Sequence, residues 1–394
     1  MRISEGKFRR AAVASLALSV AVPLAVLPGQ ARAEDGVFRF GVPYPQTGAY
    51  AEYGANFADG VRLAVQDINA AGGIAVNGDK VKVEAVFCDT QANSATAAAC
   101  GRRLTAQDRV TSMVVATSIE TYPILSFNTT VDPQFLVISS SASNKLADLG
   151  NPLVARYWFN TYKYMPGFTK LIHDSLPEVK VIAQMQSEDE FGKAWADTFD
   201  AGWTAAGGTS GGVATYAHGS TDFYPQLTAL LRSDPDALAV PGPCPGIAPI
   251  VNQARELGYE GRFILQASCG PDEAGTLLGW DNIAGSIFEG TGWDRKSGRA
   301  EAFRADFKKT FDREPVIMNA DGYGQAMWLF NAVEAAGSTS DAMAIRAAMA
   351  QVTERDWNIL EIGNLEPSGE TTALVYPRVA GASEGQVVDY HPGN

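Results

Sequence analysis

Stretches patterned like strands alternate with stretches of helical period along almost the whole chain, and this alternation restricts the fold more than any other feature. Val37 to Val42 reads as a strand. A turn-rich loop, Pro43 to Gly48, leads to a helix opened by Asn56. Within it Phe57, Val61, Ala64, Val65 and Ile68 share one face, and Gly72-Gly73 ends it. Asn77-Gly78 predicts a hairpin turn, after which Val81, Val83, Ala85 and Phe87 alternate. A helix over Ser94 to Gln107, a strand over Ser112 to Ala116, a helix near Ile124 to Thr130 and a strand over Gln134 to Ile138 continue the series.

The same order returns further on. Strands are expected over Val179 to Gln184, Val213 to Tyr216, Ala237 to Val240 and Arg262 to Leu265. Helices are expected over Gly192 to Ala206, Phe223 to Leu231 and Ile247 to Leu257. Gly322 to Ala336 and Asp341 to Met349 are further helices, and the chain from Leu374 reads as a strand and tail. Strands that alternate with helices of this length form parallel sheets covered on both faces. The expected class is therefore α/β. At 394 residues the chain exceeds what one hydrophobic core supports, so two series mean two doubly wound parallel-sheet lobes.

Residues 1–33 fit neither series. Arg2, Lys7, Arg9 and Arg10 precede the apolar run Ala11 to Leu27, and Ala31-Arg32-Ala33 has the form of a cleavage site. This is the pattern of an export signal; the run is short for a membrane span and ends in Pro28-Gly29. Arg9-Arg10 leaves the twin-arginine and general export routes both open. No cysteine sits at the cleavage point to carry a lipid, so a soluble, exported chain starting near Glu34 is expected. Its basic and acidic counts fall from 31 and 44 to 26 and 43, a net charge of −17. Such a surface disfavours nucleic acid and anionic lipid as partners.

Four cysteines in an exported chain point to disulfides. Three pairings exist, beside four free thiols. Cys88 ends a strand pattern and Cys100 lies in the helix pattern after it. Cys244 and Cys269 each follow strand patterns that would be neighbours in a parallel sheet. Cys88–Cys100 and Cys244–Cys269 are therefore favoured. Without a C-x-x-C, and with only His173, His218 and His391, no metal site is expected.

Catalytic motifs fail on context. Gly208 to Gly212, "GTSGG", matches G-x-S-x-G, but a helix precedes it and a strand follows, the reverse of a nucleophile elbow. No phosphate-binding loop or dinucleotide fingerprint stands where one is needed, so no cofactor is expected. The acidic run Glu188 to Glu190 reads as a solvated helix start. In open parallel sheets ligands bind beyond the carboxyl ends of the strands. That places "PYPQTGAYAEYG", "TSIET" and "SSSASN" of the first lobe opposite "SEDEFG", "PGPCPG" and "ASCGPD" of the second. Serines and threonines there either cap helices or offer a carboxylate their hydroxyls and close backbone N–H groups. Two such tracts at neighbouring strand ends favour binding.

These segments, in this order, resemble the periplasmic solute-binding proteins of branched-chain and hydrophobic amino acid ABC importers, the leucine/isoleucine/valine-binding type. The resemblance rests on "GVPYPQTGAYAEYGANFADGVRLAVQDINAAGGI", "CDTQANSATAAACGRRL", "TSIET" and "FLVISSSASN" in the first half. "DEFGKAWADTF", "TDFYPQLTALLRSDPDALAV", "VNQARELGY" and "MNADGYGQAMWL" carry it through the second. It implies the type I periplasmic binding protein fold, two lobes joined by a three-crossing hinge. The lobes would be 34–161 plus 290–362 and 162–289 plus 363–394. It also implies a monomer that binds a small carboxylate and delivers it to a membrane permease, with no catalysis.

By the same resemblance, Tyr53 covers the ligand side chain. Ser118 and Ser143, flanked by Thr117 and Ala142, bind the carboxylate, and the Ser141 carbonyl receives the ammonium. In the second lobe the family's acidic ammonium partner falls at Cys269, an aromatic near Cys244, a further acid near Tyr164 and another aromatic at Phe191. Asp321, Glu188 and Asp189 are the substitute acids, and Tyr162, Tyr164, Phe191 and Trp293 suit a flat or apolar ligand. An apolar amino acid is the first expected ligand class, followed by an aromatic acid and an amide or urea-like solute. A ligand sensor facing a membrane receptor is the other role open to this fold.

Overall fold

The computed structural model describes residues 36–390 apart from 49, 144, 296, 353 and 354; the expected leader and His391 lie outside the described residues. The first lobe is built on a six-stranded sheet. Its strands are β1 (Val37–Tyr44), β2 (Ile74–Val76), β3 (Asp79–Asp89), β4 (Ser112–Val115), β5 (Leu136–Ser139) and β6 (Val154–Arg156). Their order is β2-β3-β1-β4-β5-β6, parallel throughout except for β2 at the edge. The β2–β3 hairpin turns at Asn77 and Gly78, both with positive φ (51° and 92°), as the Asn-Gly pair predicts. Helices α1 (Ala51–Ala70), α2 (Ser94–Ala106), α3 (Ser118–Leu125) and α4 (Lys145–Asp148) connect these strands.

Helix α5 (Thr161–Ser175) opens the second lobe. Its sheet contains β7 (Val181–Ser187), β8 (Thr209–Tyr216), β9 (Ala237–Ala239), β10 (Arg262–Leu265), β11 (Ile287–Gly290), β12 (Tyr376–Ala380) and β13 (Val387–Asp389). The order is β13-β12-β11-β10-β9-β7-β8, with β12 and β13 antiparallel at one edge. Between the strands run α6 (Glu190–Ala206), α7 (Tyr224–Leu230), α8 (Cys244–Glu256), α9 (Pro271–Leu278) and α10 (Trp280–Ile283). The expected α/β class with two doubly wound lobes is the class observed.

After β11 the chain returns to the first lobe for α11 (Gly298–Phe311), α12 (Ile317–Ala336) and α13 (Ala342–Met349), then leaves it again for β12. The backbone therefore passes between the sheets three times. Gly290 still belongs to β11, while Gly369 and Thr371 hydrogen-bond to Arg156 of β6. Helices α1 and α12 cross at glycines: a Cβ on Gly60 would lie 2.0 Å from Asn319 O, and one on Gly322 2.1 Å from Phe57 O.

Several helix starts differ from expectation. α1 begins at Ala51, not Asn56; the Asn56 carbonyl instead accepts the Asn319 side chain at 2.6 Å, inside the α1–α12 contact. α3 begins at Ser118 rather than near Ile124, because the Thr117 hydroxyl accepts the Ile119 N–H at 3.0 Å and caps the helix there. α8 begins at Cys244, directly after Pro243. The sequence reading also passed over β6, α5, α9, α10, β11 and α11. β6 and β11 are three and four residues long and end in charged or glycine residues, too short for alternation to show.

One buried ion pair joins two of the passages. Arg156, the last residue of β6, meets Glu370 through Nε–Oε2 at 2.7 Å and Nη2–Oε1 at 2.9 Å, with side-chain exposures of 0% and 2%. Arg156 Nη2 also donates to Ser143 O at 2.7 Å. Asn160, which caps α5, donates to Glu370 Oε2 at 2.7 Å. Removing one member leaves a buried charge without its partner, which costs far more than replacing both. Glu370→Leu should therefore destabilise the protein by about 3–5 kcal/mol, and adding Arg156→Met should restore a large part of that. Urea unfolding of the two single variants and the double variant measures it.

Candidate functional site

The carboxyl ends of the two sheets face each other across a cleft that holds a cavity of about 470 Å³, including its opening to solvent. Tyr50, Tyr53, Thr117, Ser118, Ile119, Ser140 and Ala142 form the first-lobe wall. Trp158, on the passage after β6, lies between the lobes. Asp189, Phe191, Pro243, Gln266 and Ser268 form the second wall. Asp189 is the one charged residue among these.

The first wall is a hydroxyl network. Strand β4 leads into α3, so Thr117, Ser118 and Ile119 at the helix start stand at the cavity; the Ile119 N–H is taken by the Thr117 hydroxyl, and the Glu120 carboxyl accepts the Thr117 and Glu120 N–H groups. Ser118 Oγ meets Ser141 Oγ at 2.8 Å, and Tyr122 Oη lies 3.1 Å from the same Ser141 oxygen. The turn after β5 is held by Ser139 Oγ, which accepts the Ser141 N–H at 2.9 Å and contacts Thr121 Oγ1 at 2.6 Å. Ser140 donates to the carboxyl of Asp321 on α12, and Gln325 Nε2 donates back to Ser140 Oγ at 2.5 Å. Burial pushes the Asp321 carboxyl well up despite these bonds. Glu120, behind Thr117, is likewise pushed up by burial against bonds from Thr117 and Thr90.

In the second wall Asp189 caps α6. Its Oδ1 accepts the Gly192 N–H and the Ser187 hydroxyl, each at 2.8 Å, and its Oδ2 lies 2.7 Å from His218 Nε2. Burial alone would raise this carboxyl, but the His218, Gly192 and Ser187 bonds hold it below the usual carboxylate range. Glu289, at the end of β11, braces the wall from behind. It accepts from Tyr164 Oη (2.7 Å), Trp195 Nε1 (3.2 Å) and the Ala267 N–H (3.1 Å), and Ala267 stands between Gln266 and Ser268. Burial pushes Glu289 up to about 7.

Of the residues expected from the sequence, Tyr53, Thr117, Ser118, Ala142 and Phe191 line the cavity. Ser141 sits one hydrogen bond behind Ser118. Ser143 is not among the lining residues: its hydroxyl accepts the Lys145 N–H at 3.3 Å and stands beside Tyr122 of the same hydroxyl network, and its carbonyl accepts Arg156. Tyr164 and Asp321 are buried behind the walls, bonded to Glu289 and to Ser140. Cys244 and Cys269 are bonded to each other, and Cys88 to Cys100, so both favoured pairings form. Tyr162 is 68% exposed, and Trp293 is covered by the Arg304 guanidinium at 3.9 Å. Asp189 is the substitute acid that does reach the cavity.

The sequence did not single out Tyr50, Ile119, Ser140, Trp158, Pro243, Gln266 or Ser268. All but Trp158 and Gln266 lie inside the loops that the strand-end rule selected. Trp158 follows the unrecognised β6, and Gln266 precedes its loop by one residue.

Residues 37–371 match the sequence profile of the family described as periplasmic binding protein. The chain belongs to the periplasmic binding protein family. A curated relative, the "Amino acid binding protein" of Pseudomonas aeruginosa, is 28% identical over 278 residues, covering 67% of this chain and 71% of the relative. The substrate-binding protein LivJ of Streptococcus pneumoniae, solved with isoleucine, superposes with a TM-score of 0.77 at 23% identity, covering 90% of this chain and 99% of that one. A solute-binding protein of R. palustris solved with benzoate gives 0.75 at 15% identity, covering 90% and 95%. At these identities the two structures establish the fold alone. The family binds solutes and does not catalyse, and this member is not an enzyme. Among its described residues no helix is long and apolar enough to cross a membrane.

In this periplasmic binding protein the Cys244–Cys269 bond ties together two loops of the second wall, each next to a lining residue, Pro243 and Ser268. It closes a loop of 25 residues. Replacing both cysteines by serine should lower stability by about 3 kcal/mol, as thermal or urea unfolding will show.

Glu289 gives a pH prediction. Its carboxyl binds a proton more tightly folded than unfolded, so the folded state loses stability as pH rises from about 4.5 towards 7. Urea midpoints across that window should fall less steeply in Glu289→Gln than in the parent protein.

Proposed function

We propose that this protein is the periplasmic substrate-binding component of an ABC importer, taking a small carboxylate between its lobes and delivering it to a membrane permease. The observation that carries this reading is the pairing of the α3 N-terminus with the Ser118–Ser141 hydroxyls on one wall of a largely apolar interlobe cavity. A carboxylate there meets the Ser118 hydroxyl at the positive end of α3, while Tyr53, Trp158 and Phe191 cover the apolar remainder of the ligand. The first ligand class is a branched-chain or other apolar amino acid. Its ammonium faces Asp189, the one carboxylate of the cavity wall. The isoleucine complex and the curated amino acid-binding relative support this class.

A second reading, an aromatic acid, draws on two observations. Four aromatic rings line the cavity, and Asp189 already holds three hydrogen bonds. The benzoate complex supports that reading. Native mass spectrometry of freshly purified protein, followed by calorimetry with leucine, isoleucine, valine and benzoate, separates the two. Binding of none of these sinks both. For whichever ligand binds, Ser118→Ala should weaken affinity by about 1–3 kcal/mol, since a charged group loses a hydroxyl donor. Unchanged calorimetric affinity would remove Ser118 from the site. Export to the periplasm through the N-terminal leader, and action as a monomer, belong to the same proposal.

A further inference from the structure

The cleft is bridged at its mouth by a chain of three side chains. Tyr50, at the start of α1 in the first lobe, has its hydroxyl 3.1 Å from His218 Nδ1, and His218 Nε2 lies 2.7 Å from Asp189 Oδ2. His218 follows β8 and Asp189 caps α6, so both belong to the second lobe. The Tyr50 and His218 rings also meet edge to face at 5.2 Å. Tyr50 and Asp189 both line the cavity. The histidine thus joins one lining residue of each lobe from outside the cavity.

We propose that His218 is a positioning residue for ligand capture: it latches Tyr50 of the first lobe to Asp189 of the second and so holds the cleft shut over its contents. The geometry sets the roles. A carboxylate can only accept, so Nε2 carries a proton towards Asp189, and Nδ1 meets the Tyr50 hydroxyl, which can either donate or accept.

Both ends of the latch are mounted rigidly. The loop before Tyr50 is clamped by Asp89 at the end of β3, which accepts the Gln46 and Thr47 N–H groups at 3.0 and 3.2 Å and the Thr47 hydroxyl at 2.7 Å. Gly54 of α1 lets that loop lie against the helix; a Cβ there would stand 2.0 Å from Pro45 O. On the other side Asp189 is fixed by Ser187 and Gly192, and the Glu188 N–H bonds the Tyr216 carbonyl at 2.9 Å. Little conformational freedom remains to be lost when Tyr50 and His218 meet. The ion pair Lys145–Glu190, which does cross the cleft, is 3.7 Å long with both side chains exposed, a geometry that contributes little.

The latch acts on the site proposed above and therefore rests on that reading. Stopped-flow tryptophan fluorescence, with Trp158 in the cavity as reporter, measures association and dissociation of isoleucine, or of benzoate if isoleucine does not bind. Tyr50→Phe and His218→Leu should each speed dissociation about tenfold, the equivalent of one lost hydrogen bond, with association little changed. The double variant should dissociate no faster than His218→Leu alone, because Tyr50→Phe removes a contact that His218→Leu has already lost. His218→Gln, which keeps a donor and an acceptor, should recover part of the loss. Unchanged dissociation, or additive effects in the double variant, overturns the latch.

If neither ligand binds, the binding reading falls and the latch is judged on ligand-free protein. Small-angle scattering should then give a larger radius of gyration for His218→Leu than for the parent protein. Identical profiles overturn the proposal.

Discussion

The Arg156–Glu370 ion pair holds the parts of this molecule in relation to one another. It is buried, doubly hydrogen-bonded, and placed where two chain passages run side by side. Through Nη2 it fixes the Ser143 carbonyl, and through Glu370 it fixes Asn160, the cap of the first helix of the second lobe. A guanidinium removed from water needs a matched, planar partner, and the carboxylate supplies it. The serine turn of the binding wall and the start of the second lobe are thereby tied to one rigid group.

From that anchor the two walls follow a common plan. Each presents few polar groups to the cavity and braces them from behind with a buried carboxyl. Asp321 holds Ser140, Glu120 holds Thr117, and Glu289 holds the Ala267 backbone between Gln266 and Ser268. Burial pushes all three carboxyls up. Asp189 is the opposite case: its bonds keep it charged at the surface of the cavity. The cavity therefore combines one retained carboxylate with an opposite wall of hydroxyls.

Much of the fold was legible because parallel strands leave a strong trace. Buried on both faces, β4 and β5 are short apolar runs, and β1 and β10 are apolar apart from Arg39 and Arg262; helical periods separate them. The Asn77-Gly78 turn could be read from residue type and position, and of the three cysteine pairings the favoured one is the one that forms. The strand-end rule selected the loops that hold most of the cavity. What it did not supply is direction. Ser141 and Ser143 occupy the same loop as Ser140 and Ala142, yet only the latter two line the cavity; Ser141 bonds Ser118 and Ser143 stands beside Tyr122, one layer behind. Tyr164 has the chemistry of a lining residue, but its hydroxyl is committed to Glu289.

The sequence alone determined the α/β class, the two lobes and the loops that line the interlobe cavity, and it favoured the pairing of the cysteines that forms. These depend on local periodicity and on neighbours within one lobe, which short segments encode. Only the tertiary structure decided that Tyr50, His218 and Asp189 come together, that Trp158 enters the cavity, and that Arg156 finds Glu370 across 214 positions of chain. Those contacts arise where separate segments are brought face to face by the three passages between the lobes, and no periodicity within a single segment records which side chain will stand opposite.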